Sequence, residues 1–153
     1  MSVPTIRLAR TNEYDAVADV WSRSWLSNGI GAPDGAALTR MMRARIPREI
    51  ENGWSLYVAD DDGTIAAMLA FRLRDAYLDQ LFIAPEYQGN GLGKRLLGFT
   101  RDKLPNEIWL RCVRENDRAW RWYEREGFVF EKEQLDAGSG FTMKYYRWKK
   151  GTS

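Results

Sequence analysis

The 153-residue sequence predicts a mixed α/β fold in which helices pack on the faces of a central β-sheet. Segments with apolar residues at alternate positions, typical of strands, are interleaved with segments of helical period. A strand, a glycine-rich turn and a helix start follow one another over residues 78–97, and the chain closes with two more strand-like runs. The length suits one domain with a sizeable core, so we expect a single domain over residues 1–153.

The N-terminal part predicts a strand followed by a helix. Residues 5–9 alternate as in a short strand, and apolar residues at helical spacing then indicate an amphipathic helix to about Leu26. Thr11 or Asn12 is expected to cap this helix. Its aromatic stripe, which includes Trp25, is expected to pack mainly in the core.

A glycine-rich loop and a basic helix come next. The loop covers residues 28–35 and contains Pro33, and the helix is expected to run from about Gly35 and to break or kink at Pro47. We expect its arginines to form a solvated face. The alternative is a rim that attracts acidic substrates or phosphates.

Two strand-like runs, residues 54–59 and 64–71, are joined by three aspartates and Gly63. An Asp-Gly pair between apolar runs predicts a β-hairpin. The spacing and the distal glutamate of a calcium-binding EF-hand are missing, so these aspartates do not predict a metal site.

The C-terminal half predicts a helix from about Gly91 to Lys103 and a strand over residues 107–113. A further helix is expected to begin at Asn116, a good N-cap residue, and to end at Gly127. Two final strands are expected over residues 128–133 and 141–148.

Composition excludes several classes of site. The chain has no histidine and one cysteine, Cys112, so it cannot form a Ser-His-Asp triad, a Cys-His dyad, a histidine zinc site or a thiolate cluster. A net charge of +2 does not indicate nucleic-acid binding, and no stretch has the length of a signal peptide or membrane span. We expect a cytoplasmic protein with no metal, no nucleic acid and no membrane partner. Tryptophans that the pattern leaves exposed are compatible with a homodimer.

The glycine-rich turn predicts a binding site for an anion. Gly89, Gly91 and Gly93 precede a helix start, where free N–H groups and the helix dipole favour a phosphate or pyrophosphate. A P-loop fits poorly because Arg95 replaces the hydroxyl residue. A dinucleotide fingerprint also fits poorly, since there is no glycine at position 94.

The turn and its strand resemble the acetyl-CoA loop of the GCN5-related N-acetyltransferases, the GNAT superfamily. The strand is Leu81-Phe82-Ile83-Ala84-Pro85, and the loop supplies Gln88, Gly91 and Gly93 for the pattern Gln/Arg-x-x-Gly-x-Gly/Ala. Residues 116–128 resemble the second pattern, Asn-x-x-Ala-x-x-x-Tyr-x-x-x-Gly-Phe. The two motifs cover the C-terminal half, whereas the N-terminal third matches only in the order of its elements.

This resemblance implies a mostly antiparallel sheet whose central strands splay apart to form an acyl-CoA cleft. It also implies transfer of an acetyl group from acetyl-CoA to a small-molecule or peptide amine by direct attack. Backbone groups of Leu81 and Ile83 would pair with the pantetheine arm, and the loop N–H groups would hold the pyrophosphate. The implied cofactor-binding residues are Leu81, Phe82, Ile83, Gln88, Gly89, Asn90, Gly91, Leu92, Gly93, Lys94 and Asn116.

Tyr123 in the second motif resembles the general acid that protonates the departing thiolate. Asp79 is the first candidate for the base, because strand alternation places it on the same face as Tyr77 and Leu81. A salt bridge to an arginine, or a water-mediated route, are the alternatives for Asp79. Trp25 and Tyr77 are expected to contact the acceptor, and loops 27–36 and 134–140 to shape its pocket.

Two other functions remain open on sequence grounds. A non-catalytic module could bind acyl-CoA through the same loop without transferring the acyl group. A nucleotide-binding domain would bind ATP or NAD without preferring CoA, and the poor fit of both phosphate motifs argues against it.

Overall fold

A computed structural model describes residues 3–31 and 34–151. Within them a seven-stranded sheet, in the order β1-β2-β3-β4-β5-β7-β6, is flanked by four α-helices. All neighbouring strands are antiparallel except β4 and β5, which confirms the predicted mixed sheet. The elements are β1 Thr5–Leu8, α1 Tyr14–Leu26, α2 Gly35–Glu51, β2 Trp54–Asp61, β3 Thr64–Arg72, β4 Tyr77–Ile83, α3 Leu92–Lys103, β5 Glu107–Val113, α4 Asp117–Arg125, β6 Val129–Leu135 and β7 Thr142–Lys149.

The two faces of the sheet carry separate apolar clusters. Helices α1 and α2 cover one face, where Trp21, Ile46 and Met68 are buried. Helices α3 and α4 cover the other, where Leu96 and Leu110 are buried. No helix among the described residues is both long and apolar enough to cross a bilayer.

Two details of the N-terminal third differ from the prediction. Helix α1 is not capped by Thr11 or Asn12, because residues Thr11–Glu13 form a 3₁₀ turn held by the Glu13 carboxylate, which accepts from the Arg10 N–H at 2.7 Å. Helix α2 continues through Pro47 to Glu51 without a break. The predicted loop between these helices falls partly on residues 32 and 33, which lie outside the described residues.

The β2–β3 hairpin has the predicted turn. Asp62 and Gly63 both have positive φ, 54° and 96°, as a type I′ turn requires. The flanking pair Asp61 and Thr64 closes the hairpin in register.

Strand β4 has a bulge at Asp79. Ala70 of β3 pairs with Gln80 and the next residue, Phe71, pairs with Leu78, so Asp79 has no partner opposite. The extra residue shifts the alternation: Tyr77 and Asp79 face the side of α1 and α2, whereas Leu81 packs into the α3–α4 cluster. The prediction that Leu81 shares a face with Asp79 is therefore wrong.

Strands β4 and β5 meet at one end only. Their one registered pair among the described residues joins Tyr77 and Trp109, whose N–H donates to the Ala76 carbonyl at 3.0 Å. Towards Ile83 and Val113 the two strands no longer pair. The central sheet therefore opens into a cleft, as expected.

Candidate active site

The cleft between β4 and β5 contains two cavities of about 400 Å³ each. The first lies against the glycine-rich loop and α4, and the second against α1, α2 and the β6–β7 loop. They meet at a common wall, so two molecules bound one in each cavity would touch there. The residues that line both are Leu81, Phe82, Asn116, Ala119 and Tyr123.

The glycine-rich loop is fixed to the end of β4. The Gln88 side-chain amide donates to the Ile83 carbonyl at 3.0 Å, which holds the loop against the strand. Gly89 and Gly91 have φ of 84° and 79°, values at which other residues are strained. The backbone conformation, and not a lack of space, favours glycine at these two positions, since an added Cβ would meet no atom within 4 Å.

The loop delivers free N–H groups to the first cavity. The first helical bond of α3 runs from the Arg95 N–H to the Gly91 carbonyl at 3.2 Å, so the N–H groups of Leu92, Gly93 and Lys94 have no carbonyl four residues earlier in the helix. At Gly93 a Cβ would lie 3.3 Å from both Ile83 Cδ1 and Trp122 Cζ2. Both contacts are tighter than ordinary van der Waals contact, so any side chain at position 93 would press on these two residues.

The free edge of β4 faces the same cleft. The Ala84 N–H donates to the Ala66 carbonyl of β3 at 2.9 Å, and antiparallel hydrogen bonding then alternates along the strand. The backbone groups of Leu81 and Ile83 therefore point away from β3. With β5 splayed away, these groups can accept an extended ligand as an added strand, although the Ile83 carbonyl already accepts from Gln88.

Tyr123 of α4 lies at the junction of the two cavities. Its ring is buried, with only 8% of the residue exposed, and packs edge-on against Trp122 and Phe128. Burial raises the pKa of its hydroxyl well above 10, and Cys112 contributes in the same direction. The hydroxyl therefore stays protonated at neutral pH, as a proton donor must.

Cys112 is not a nucleophile in this fold. It lies buried on β5, and burial raises the pKa of its thiol to about 12. A thiolate is therefore rare near neutrality. This agrees with the sequence pattern, which predicts a strand residue.

Asn116 precedes α4, but its side chain does not cap the helix. The Asn116 backbone carbonyl accepts from the Ala119 N–H at 3.1 Å, while the buried side chain lines both cavities. The sequence predicted capping by this side chain, either alone or together with a ligand contact, and the capping part of that prediction is wrong. The geometry leaves the amide available to a ligand.

Asp79 and the predicted acceptor contacts line the second cavity. The Asp79 carboxylate accepts from Trp54 Nε1 at 2.8 Å and from Gln80 Nε2 at 3.0 Å, so neutral donors hold it in place of the salt bridge considered above. Trp25 meets the rings of Phe82 and Phe141 edge-on, and Tyr77 is buried beside Asp79.

Two predicted cofactor residues lie outside both cavity linings. Asn90 is exposed on the loop, and the Leu92 side chain is buried in the α3–α4 cluster. Leu92 can therefore contribute only its backbone N–H. Both assignments stay predictions.

Four arginines were missed as site residues by the sequence analysis. Arg118 and Arg125, seven positions apart on α4, line the first cavity, and neither forms an ion pair with another described residue. Arg45 and Arg111 line the second cavity. The helical spacing of the first two was a readable signal, but nothing in the sequence pointed α4 towards the loop.

A comparison with known protein families identifies the family of the protein that forms this cleft. The model of the acetyltransferase (GNAT) family matches residues 15–128, which is most of the chain. The chain belongs to the GNAT family. This membership confirms the predicted N-acetyltransferase and favours catalysis over the non-catalytic acyl-CoA-binding module.

Similar proteins and solved structures cover most of the chain. One is a protein of Mycobacterium tuberculosis named "probable N-acetyltransferase", 28% identical over 91% of this chain and 84% of its own length. A GCN5-related N-acetyltransferase from Rhodopseudomonas palustris has the same fold, with a TM-score of 0.80, 13% identity and 97% of each chain covered. The structure of the PaiA N-acetyltransferase of Thermoplasma acidophilum in complex with coenzyme A has a TM-score of 0.71 and 24% identity, and the match covers 94% of this chain and 98% of that one.

Proposed function

We propose that this GNAT enzyme transfers the acetyl group of acetyl-CoA to a primary amine on a small molecule or peptide, with Tyr123 as the general acid. The observation that carries this proposal is the meeting of two cavities at Tyr123 and Asn116. The first cavity has the groups that a pyrophosphate needs, and the second is open to an acceptor. The thioester would then lie at their common wall.

Acetyl-CoA would bind along the first cavity as follows. The pyrophosphate accepts from the N–H groups at the start of α3, where the helix dipole also favours it. The pantetheine arm extends along the free edge of β4 and pairs with Leu81 and with the Ile83 N–H. Asn116 donates to an amide carbonyl of the arm.

The transfer is a direct attack. An ammonium has no lone pair, so the acceptor first loses a proton to Asp79, directly or through water. The neutral nitrogen then attacks the thioester carbonyl, the C–S bond breaks, and the thiolate takes the Tyr123 proton. The nitrogen, which is positively charged after the attack, loses its second proton to water, and the products are an acetylated amine and CoA. Solvent then takes the proton held by Asp79 and returns one to Tyr123.

We also propose a single domain, because both apolar clusters are built on one continuous sheet. A cytoplasmic location and a homodimer stay predictions.

Ligand-induced stabilisation tests the cosubstrate. We expect acetyl-CoA and CoA to raise the melting temperature, while ATP and NAD at the same concentration do not. A ligand at a hundred times its Kd adds about 2.7 kcal/mol to the free energy of unfolding. Differential scanning fluorimetry with the four ligands in parallel measures this. An unchanged melting temperature with both CoA species would contradict the proposal.

Replacing Arg118 or Arg125, the α4 arginines without an ion pair among the described residues, is expected to have a modest effect on the affinity for CoA. Arg118→Gln and Arg125→Gln are each expected to weaken CoA binding about two- to fivefold, since each removes an exposed cation near the phosphates. Isothermal titration calorimetry measures the Kd. Arg121→Gln is the matched control, because Arg121 lies on the same helix, pairs with Asp117 and lines neither cavity. Equal affinities in all three variants would remove Arg118 and Arg125 from the site.

A further inference from the structure

The second cavity is lined by both acidic and basic residues, as a binding site for a zwitterion requires. Among the described residues, its charged lining consists of two carboxylates, Asp79 and Asp136, and two guanidinium groups, Arg45 and Arg111. Arg45 is already paired with Glu49 at 2.9 Å, so Arg111 is the cation that would repel the second ammonium group of a polyamine. A cavity that presents Asp79 and Arg111 together fits an acceptor that carries its own negative charge beside the amine.

Asp79 and Arg111 are placed around one hydroxyl. Tyr77, buried on β4, accepts from Arg111 Nε at 3.3 Å, and its hydroxyl also interacts with the Asp79 carboxylate. Burial raises the pKa of Tyr77, with Asp79 acting in the same direction, so the hydroxyl remains neutral between the two charges. An ammonium at Asp79 and a carboxylate at Arg111 would therefore lie only a few bonds apart in one acceptor.

Among the described residues, Arg111 forms an ion pair with Asp136, and the 3.6 Å distance is longer than that of a close hydrogen-bonded pair. Asp136 also accepts from Ser139 Oγ at 2.7 Å, and this hydrogen bond and the Arg111 charge both lower the pKa of the Asp136 carboxyl. The other partners of Arg111 are the phenols of Tyr77 and Tyr145. A guanidinium has five N–H donors, so donors remain for a ligand carboxylate.

The side of the cavity formed by α1, α2 and Phe141 is largely apolar. Trp25, Phe82 and Phe141 form an aromatic wall in which Trp25 meets both phenylalanines edge-on. Leu38, Met41 and Met143 also line the cavity. Such a surface suits an uncharged side chain attached to the zwitterion.

We propose that the acceptor is a free α-amino acid with an apolar side chain, its carboxylate bound by Arg111 and its amine delivered to Asp79. The inference rests on the proposed acetyl transfer and narrows its acceptor. A peptide N-terminus has the amine and lacks the adjacent carboxylate, so Arg111 distinguishes the two.

Turnover of matched acceptors by the 153-residue chain tests this proposal. Release of CoA thiol is measured with L-phenylalanine, L-leucine and L-methionine, with their carboxamides, and with spermidine. We expect kcat/KM for each free amino acid to exceed that of its carboxamide by about 10- to 100-fold, the range of hydrogen bonds to a charged group. Amide acceptors or spermidine that match the free amino acids would overturn the proposal.

The Arg111→Gln variant adds a second readout. Its KM for free amino acids should rise about tenfold or more, while kcat/KM for the carboxamides changes little, and Arg111→Lys should recover part of the loss. Arg114→Gln is the matched control, since Arg114 pairs with exposed glutamates and lines neither cavity. Equal losses for acids and amides would mean that Arg111 acts only in the structure, which contradicts the proposal. If no acceptor is acetylated and CoA does not stabilise the protein, the proposed function fails instead.

Discussion

The Tyr123→Phe variant is expected to lower kcat by about 100- to 10,000-fold, the usual contribution of a general acid. Its affinity for acetyl-CoA should change little, because the ring that lines the cavity is retained. The fold should also be retained, since the hydroxyl forms no hydrogen bond with the described residues and the ring keeps its contacts with Trp122 and Phe128. Single-turnover kinetics with a saturating amine separate chemistry from product release.

The matched control for Tyr123 is Tyr57→Phe. Tyr57 also packs among aromatic rings, Phe71 and Phe99, and it lines neither cavity. It should keep the wild-type kcat. If Tyr123→Phe likewise kept full turnover with chemistry limiting, the thiolate would have to take its proton from water or another group.

The Gly93→Glu variant is expected to lose acetyl-CoA binding by at least about 100-fold. Its Cβ would lie 3.3 Å from side-chain atoms of both Ile83 and Trp122, so these side chains must move slightly to admit it. Its carboxylate would also approach the pyrophosphate, and two like charges roughly 4 Å apart repel by about 4 kcal/mol near a protein surface. Gly91→Glu should have a similar effect, with added backbone strain from φ of 79°.

Gly98→Glu is the control for both glycine variants. Gly98 lies in the same helix, and a Cβ there would meet no atom within 4 Å. It should bind acetyl-CoA as the wild type does. Calorimetry gives the Kd, and the melting temperature without ligand shows whether each variant is folded. A folded Gly93→Glu protein that still bound acetyl-CoA would place the pyrophosphate elsewhere.

The sequence was most informative where local physics decides the conformation. The Asp-Gly turn, the strand over residues 107–113 and the glycine-rich turn depend on neighbouring residues and were predicted correctly. The roles of the loop and of Tyr123 were predicted from two motifs that occur in the right order, and these roles stay predictions. The lining of the first cavity includes most of the residues named for it.

The remaining features depend on contacts between distant parts of the chain. The bulge at Asp79 arises from pairing with β3, and a simple alternation along β4 therefore placed Leu81 on the wrong face. Arg111 became a candidate only because its strand lies beside Tyr77, 34 positions away in the chain. Helix caps were also misjudged, since Asn116 uses its backbone where its side chain was expected.

Among the described residues, β4 and β5 share a single registered pair. The sheet therefore consists of two antiparallel ribbons, β1-β2-β3-β4 and β5-β7-β6, that are joined at this pair. Over the splayed half, no strand among the described residues pairs between β4 and β5. A pantetheine arm bound there as proposed would continue the hydrogen-bonded ladder from β4 towards β5. The cosubstrate would then be a removable strand of the sheet, present in one half of the catalytic cycle and absent in the other.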